Sequence, residues 1–186
     1  MRYLITIILT LCAGACILFS CAKWKDPAPT TDPRLTNPYC NDPNAVNYNW
    51  GFPGKPDNSI CYYPTDLFKG AYMYHDTIYK NGFFIGADSF LLNIHALNQT
   101  KMSVFGFCGG ADSILMTANL LFSSSVDTLI GDSITTAEGQ MLCVIKDTLS
   151  GNMLRDRLDS PAVLHVIFQV ITDTGTVQHS GSAIIQ

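Results

Sequence analysis

Glutamate is almost missing from this 186-residue chain, with Glu138 the only one, and charged residues make up just 14% of it. Lysine is also scarce. Solvated helices draw on Glu, Lys, Ala and Leu, so few are expected. A carboxylate pair for glycoside cleavage would have to come from aspartates, most of which sit beside turn residues. A basic surplus is missing too. The formal net charge is −4, which argues against nucleic acid as a partner, because its phosphates require a basic patch. No G-x-S-x-G surrounds Ser89, Ser113, Ser123 to Ser125 or Ser180, so a nucleophile elbow has no support. Gly109-Gly110 lacks the strand-to-helix setting of a phosphate loop.

The four histidines, His75, His95, His165 and His179, each sit in a strand-like run. No pair has the spacing of a metal motif, and a zinc site needs three or four convergent ligands. Neither a metal site nor a cofactor is expected. His75 and Asp76 are neighbours, but adjacent strand residues point to opposite faces and so do not act on one another. His95 and His165 are expected to face solvent. Arg155-Asp156-Arg157 reads as a small self-neutralising cluster on a solvated loop. No catalytic residue is assigned.

What is present begins at the N-terminus. Met1-Arg2-Tyr3 carries one positive charge. An uncharged apolar run follows from Leu4 to Phe19, and then Ser20-Cys21. This is the layout of a secretory signal. An uncleaved span, which needs ~20 apolar residues, is the alternative. Leu18-Phe19-Ser20-Cys21 resembles the lipobox of bacterial lipoproteins. That resemblance implies removal of residues 1–20 and a diacylglyceryl group on the Cys21 thiol, which becomes the first residue. Each buried methylene contributes ~0.8 kcal/mol, and stable anchoring takes more than one chain. Ala13-Gly14-Ala15-Cys16 is a competing site with Ala where the family prefers Leu. Ala22-Lys23-Trp24-Lys25-Asp26 has no acid directly beside the cysteine. By the same resemblance this disfavours retention in the inner membrane, so the expected location is the cell envelope, lipid-anchored at the outer membrane. Only Arg2 leaves the charge count with the signal, so ten basic residues stand against fifteen acidic ones, net −5.

Of seven cysteines, Cys12 and Cys16 leave with the signal and Cys21 carries lipid. Cys40, Cys61, Cys108 and Cys143 remain, an even number in an exported chain, which suggests disulfides. Three pairings are possible. Cys40–Cys61 with Cys108–Cys143 is preferred, because the first pair brackets a compact segment. Free buried thiols are the alternative for Cys108 and Cys143.

Residues 21–38 contain the lipid site and a tether in which Pro27, Pro29, Pro33 and Pro38 sit among polar residues, a semi-rigid composition. Residues 39–64 resemble a small module of bacterial secreted proteins, C-x-D-P-x-A-x-N-Y-N leading to D-D-G-S-C-x-Y. The match lies at Cys40, Asp42, Pro43, Ala45, Asn47, Tyr48, Asn49, Asp57, Cys61 and Tyr63. The spacing is two residues longer, and Asn58-Ser59-Ile60 replaces Asp-Gly-Ser. The segment is too short for its own core. Asp42, Asn44, Asn47, Asn49 and Asp57 could offer oxygens to calcium, but the EF-hand spacing is absent, and Asx side chains more often bond turn backbone.

Residues 66–186 form the main domain. The chain is rich in Thr, Ser, Ile, Val, Phe and Tyr, which favours strands. Period-two alternation recurs between turn signals: Phe68, Tyr72 and Tyr74; Phe90, Leu92, Ile94 and Ala96; Met102 to Phe107; Ile114 to Leu120; Val126 to Ile130; Met141 to Thr148; Leu164 to Val170; Val177 to Ile185. Asn81-Gly82 marks a type I′ hairpin turn, and Asn98-Gln99 and Asp173-Thr174-Gly175 mark two more turns. Residues 149–161 read as a longer loop, with room for a helical turn. The expectation is all-β: an antiparallel meander of about eight strands, closed as a barrel or packed as a sandwich. Phe68-Lys69-Gly70-Ala71-Tyr72 with Asp76-Thr77 resembles the first strand of small lipocalin-like domains of bacterial lipoproteins, which also end on a strand.

Two functional classes follow. The first is a non-enzymatic, membrane-tethered β-domain that binds an apolar small molecule, a protein or a glycan, or that only packs solid. The second is an envelope hydrolase whose residues are scattered in sequence. Convergence of His75, His95, His165 or His179 with an aspartate within hydrogen-bond reach would favour the second, and separate strand faces would sink it.

Overall fold

The computed structural model describes Tyr3 and residues 31–107, 112–128, 135–136 (backbone only), 139–141, 147–156 and 162–186. A short 3-10 turn, Pro33–Thr36, opens the module. Strands β1 (Pro38–Tyr39) and β2 (Lys55–Pro56) pair in parallel, and 3-10 turns at Asn58–Ile60 and Pro64–Leu67 lead into the main domain. Its strands are β3 (Gly70–Lys80), β4 (Phe83–Ala96), β5 (Lys101–Phe105), β6 (Ser113–Ala118), β7 (Ser123–Val126), β8 (Thr135–Thr136), β9 (Gly139–Met141), β10 (Thr148–Arg155), β11 (Val163–Thr172) and β12 (Gly175–Ile185).

The meander closes. The order runs β3-β4-β5-β6-β7-β10-β11-β12, and β12 returns to pair with β3, every pair antiparallel. Eight strands thus form a closed barrel of the lipocalin-like, all-β kind, which leaves no long exposed edge. The hairpin β8–β9 is an addition. It pairs with the start of β10, while β7 takes the end of β10 over Asn152–Leu154. Gln140 of β9 is buried and braces the β6–β7 side: it accepts from the Leu115 N–H at 2.9 Å and donates to the Asp127 carbonyl at 3.0 Å.

Alternation decides which side chains enter the barrel. In β11, Leu164, Val166 and Phe168 are buried while His165, Ile167 and Gln169 are exposed. Tyr72, Tyr74, Leu92, Met102, Val104, Ile114, Met116, Leu149 and Met153 join them from the other strands, and Phe68 from the entry turn. These side chains fill the body of the barrel, and burying each large one contributes ~1.5–3 kcal/mol.

Asn81 and Gly82 have φ of 50° and 85°, as a type I′ turn requires. The Asn81 side chain also accepts from the Thr176 N–H at 3.0 Å, tying this hairpin to the next. Elsewhere the strands differ from the alternation. β4 starts at Phe83 rather than Phe90, through a bulge beside Ile78 and Tyr79. β6 stops at Ala118, where the Asn119 side chain accepts from the Leu121 N–H at 2.8 Å and turns the chain. β7 ends at Val126, and Ile130 lies outside the described residues, as does most of the run from Met141 to Thr148.

Two expectations are overturned. Residues 149–155 are not a loop but most of β10, the strand that closes the barrel between β7 and β11. Ser150-Gly151-Asn152 carries turn-forming residues, yet Leu149 and Met153 on either side point into the core. Gly151 has φ +143° and sits opposite Phe168, so close to the Ile167 carbonyl that a Cβ would collide with it. The glycine answers a close strand approach, not a turn. The Arg155-Asp156 pair is also not self-neutralising. Arg155 donates to the Leu67 carbonyl, and Asp156 pairs with His165 at 2.7 Å. Arg157 lies outside the described residues.

The Cys40–Cys61 disulfide is present, with a Cα separation of 5.1 Å. Cys21, Cys108 and Cys143, with the second bridge proposed for the last two, lie outside the described residues. Three of the five Asx side chains considered for calcium bond backbone. Asp42 accepts from the Asn44 N–H at 2.9 Å, Asn47 bridges Ile60 and Tyr62, and Asp57 accepts from the Ser59 N–H at 2.9 Å. Val46 and Tyr62 pack against the barrel core, and the Thr65 hydroxyl donates to the Asn98 carbonyl at 2.8 Å. The module therefore seats on the end of the barrel opposite the Asn81-Gly82 turn. Replacing both Cys40 and Cys61 by serine is expected to lower unfolding stability by about 3 kcal/mol. Urea denaturation checks this, and an unchanged midpoint would contradict it.

Candidate functional site

The open end of the barrel, where β3 passes into β4 and β11 into β12, holds a cavity of about 360 Å3 lined by Asp76, Ile78, Asp88, Phe90, Gly106, Phe107 and His179. Strand parity explains the set. On β3 the inward positions are 72, 74, 76 and 78. On β12 they are 177, 179, 181 and 183. The register sets Asp76 opposite Gly181 and Ile78 opposite His179. With no side chain on Gly181, His179 reaches diagonally across to Asp76, a contact that neighbouring strands allow.

The Asp76 side chain is 1% exposed and that of His179 19%. His179 Nδ1 lies 2.6 Å from Asp76 Oδ2, and the Tyr74 hydroxyl donates to Asp76 Oδ1 at 2.9 Å. An ionised carboxylate only accepts, and facing one Nδ1 is the donor. Nε2 is then left as the acceptor of a neutral ring or the second donor of a charged one. Burial, and then the neighbouring Asp76 charge, push the Tyr74 hydroxyl far above its ordinary value of 10.0. Tyr74 is therefore a fixed donor. A buried carboxylate is costly unless hydrogen-bonded and paired, and these two partners supply what it needs.

The remaining wall is aromatic. Gly106 has φ +126° and crosses β4 so closely that a Cβ would strike the Leu91 carbonyl. This crossing drops Phe107 into the mouth, its ring 5.0 Å from Phe90, 5.3 Å from Phe168 and 5.9 Å from His179. Asp88 stands opposite Asp76 in the β3–β4 register and is exposed, with Oδ1 accepting from the Ser89 N–H at 2.7 Å.

The other histidines lie elsewhere. His75 is exposed with Nδ1 2.9 Å from the Ser89 hydroxyl, on the face opposite Asp76, as alternation requires. His95 is exposed beside Phe105, and His165 is exposed beside Asp156. Sequence reasoning missed the pairing of His179 with Asp76, which are 103 positions apart. Pairing the first and last strands of a closed meander and matching their inward positions would have found it. A second, more apolar cleft of about 500 Å3 lies near the module, lined by Asn44, Pro64, Thr100 and residues 118–121. None of the described residues that line it is ionisable, so the mouth is the candidate site.

No protein-family model, curated protein or solved structure matches this chain.

Two tyrosines test the polar floor of the site. Among the described residues the buried Tyr72 hydroxyl has no hydrogen-bond partner, whereas that of Tyr74 bonds a carboxylate. Tyr74→Phe is expected to cost about 2 kcal/mol, and Tyr72→Phe to be neutral or stabilising by about 1 kcal/mol. Equal losses in thermal unfolding would contradict the arrangement.

Proposed function

We propose that this protein is a lipid-anchored lipoprotein of the cell envelope, held at the outer membrane through Cys21, and that its barrel binds a small molecule at the mouth. The anchor reading is supported by Leu18-Phe19-Ser20-Cys21 and by the Pro-rich tether that follows. The observation that carries the binding reading is the mouth cavity, which joins an aromatic wall to the buried Tyr74–Asp76–His179 system. Ligand pockets combine apolar walls with a few fixed polar groups in this way. The described side chains of the barrel body form a buried core, whereas the mouth is open, so the mouth is the place for a ligand.

Gly86 offers a direct test. It pairs with Ile78 at the mouth, and a Cβ there would meet nothing within 4 Å. Gly86→Trp is expected to cover the cavity without disturbing the core. Native mass spectrometry of the full chain in detergent, after exposure to small molecules extracted from bacterial envelopes, should show a bound species in the wild type that is lost in Gly86→Trp. A species retained by the variant, or none in the wild type, would contradict the reading.

An envelope hydrolase is the second reading, favoured by the His179–Asp76 contact. It lacks a nucleophile: among the described residues no serine, threonine or cysteine hydrogen-bonds His179. Binding is therefore preferred.

A further inference from the structure

The mouth places two carboxylates opposite one another. Asp76 and Asp88 are register partners on β3 and β4, and both line the cavity. Like charges directly opposite on neighbouring strands repel, so they stay together where something positive relieves them. His179 and Tyr74 answer Asp76 alone, each through one oxygen. Asp88 has one oxygen on the Ser89 N–H, and among the described residues its other oxygen has no hydrogen-bond partner. No lysine or arginine is among the described residues that line the cavity. Lys80, two residues beyond Ile78, is held by the Thr174 hydroxyl at 3.0 Å. Beside the carboxylates stand Phe90 and Phe107, and aromatic faces attract cations electrostatically.

We propose that the mouth takes a small organic cation, an amine or ammonium group on an apolar body, with its charge at Asp88 over the buried Asp76 and its body against Phe90 and Phe107. This rests on the reading of the mouth as a small-molecule site and names the ligand class for it. The volume, about 360 Å3, lies near the lower end of the ~300–1,000 Å3 of ligand pockets, so the cation is small. An anion would face two carboxylates. A neutral ligand would leave their repulsion in place.

Isothermal titration of the full chain in detergent tests this with three probes of similar shape: 2-phenylethylamine, 2-phenylethanol and phenylacetate. The amine is expected to bind about tenfold or more tighter than the alcohol, a difference of about 1.4 kcal/mol, and phenylacetate more weakly than either. Asp88→Asn should remove most of the amine's advantage and leave the alcohol unchanged. If the alcohol or the acid binds as tightly as the amine, the cation assignment falls while the mouth stands as a binding site. An amine preference that survives Asp88→Asn places the charge elsewhere and also overturns the assignment. If none of the probes binds a chain whose circular dichroism shows it folded, both this inference and the binding reading fall.

Discussion

Replacing Phe168 with alanine is expected to lower unfolding stability by about 4 kcal/mol, within the range for deleting a buried aromatic ring. Phe168 is fully buried, packs on Phe107 at 5.3 Å, and lies across from Gly151 at the β10–β11 pairing. Its removal empties the place where the barrel closes and loosens the wall of the mouth above it. Ile167 is the internal control. It is one residue away on the same strand but 49% exposed, so Ile167→Ala is expected to cost less than about 1 kcal/mol, as surface changes usually do. Similar losses in chemical denaturation would mean that β11 is not two-faced and that β10 does not pair with it as described.

The second large effect is at His179. Its replacement by alanine leaves Asp76, whose side chain is 1% exposed, without its only basic hydrogen-bond partner among the described residues. Breaking one side of a buried pair is expected to cost about 3 kcal/mol. The companion change separates this cost from simple loss of packing. Asp76→Asn alone removes the charge and weakens the bonds from Tyr74 and His179. If charge is the main term, His179→Ala should cost much less on the Asp76→Asn background, giving a coupling energy above about 1 kcal/mol, as contacting residues show. Additive effects would mean that the pair is adjacent in space but energetically independent.

Much of the barrel was legible in the sequence. The alternation of Leu164, Val166 and Phe168 against His165 and Gln169 carried through to burial, and Asn81-Gly82 took the backbone its composition favours. The Cys40–Cys61 loop also formed, because the pair brackets a self-contained turn-rich segment. What the sequence hid was non-local. Gly151 looked like a turn residue, although its reason for being there is a close approach of β11, whose Ile167 carbonyl a Cβ would strike. Gly106 is similar: its positive φ steers Phe107 into the mouth, and no local pattern says so. The first half of β4 was obscured by its bulge and by Gly86 and Asp88, which are poor strand formers. The candidate site itself joins β3, β4, the residues after β5, and β12. Each of its residues is ordinary in its own segment, and only barrel closure brings Asp76 to His179.

Residue-resolved NMR of the full chain in detergent, titrated with a set of small aromatic amines, alcohols and acids, would locate the binding site. Shift changes are expected to centre on Asp76, Asp88, Phe90, Phe107 and His179, with the buried core around Met153 and Leu164 unmoved. Changes centred instead on the cleft beside Leu120 and Leu121, or within the buried core, would contradict this.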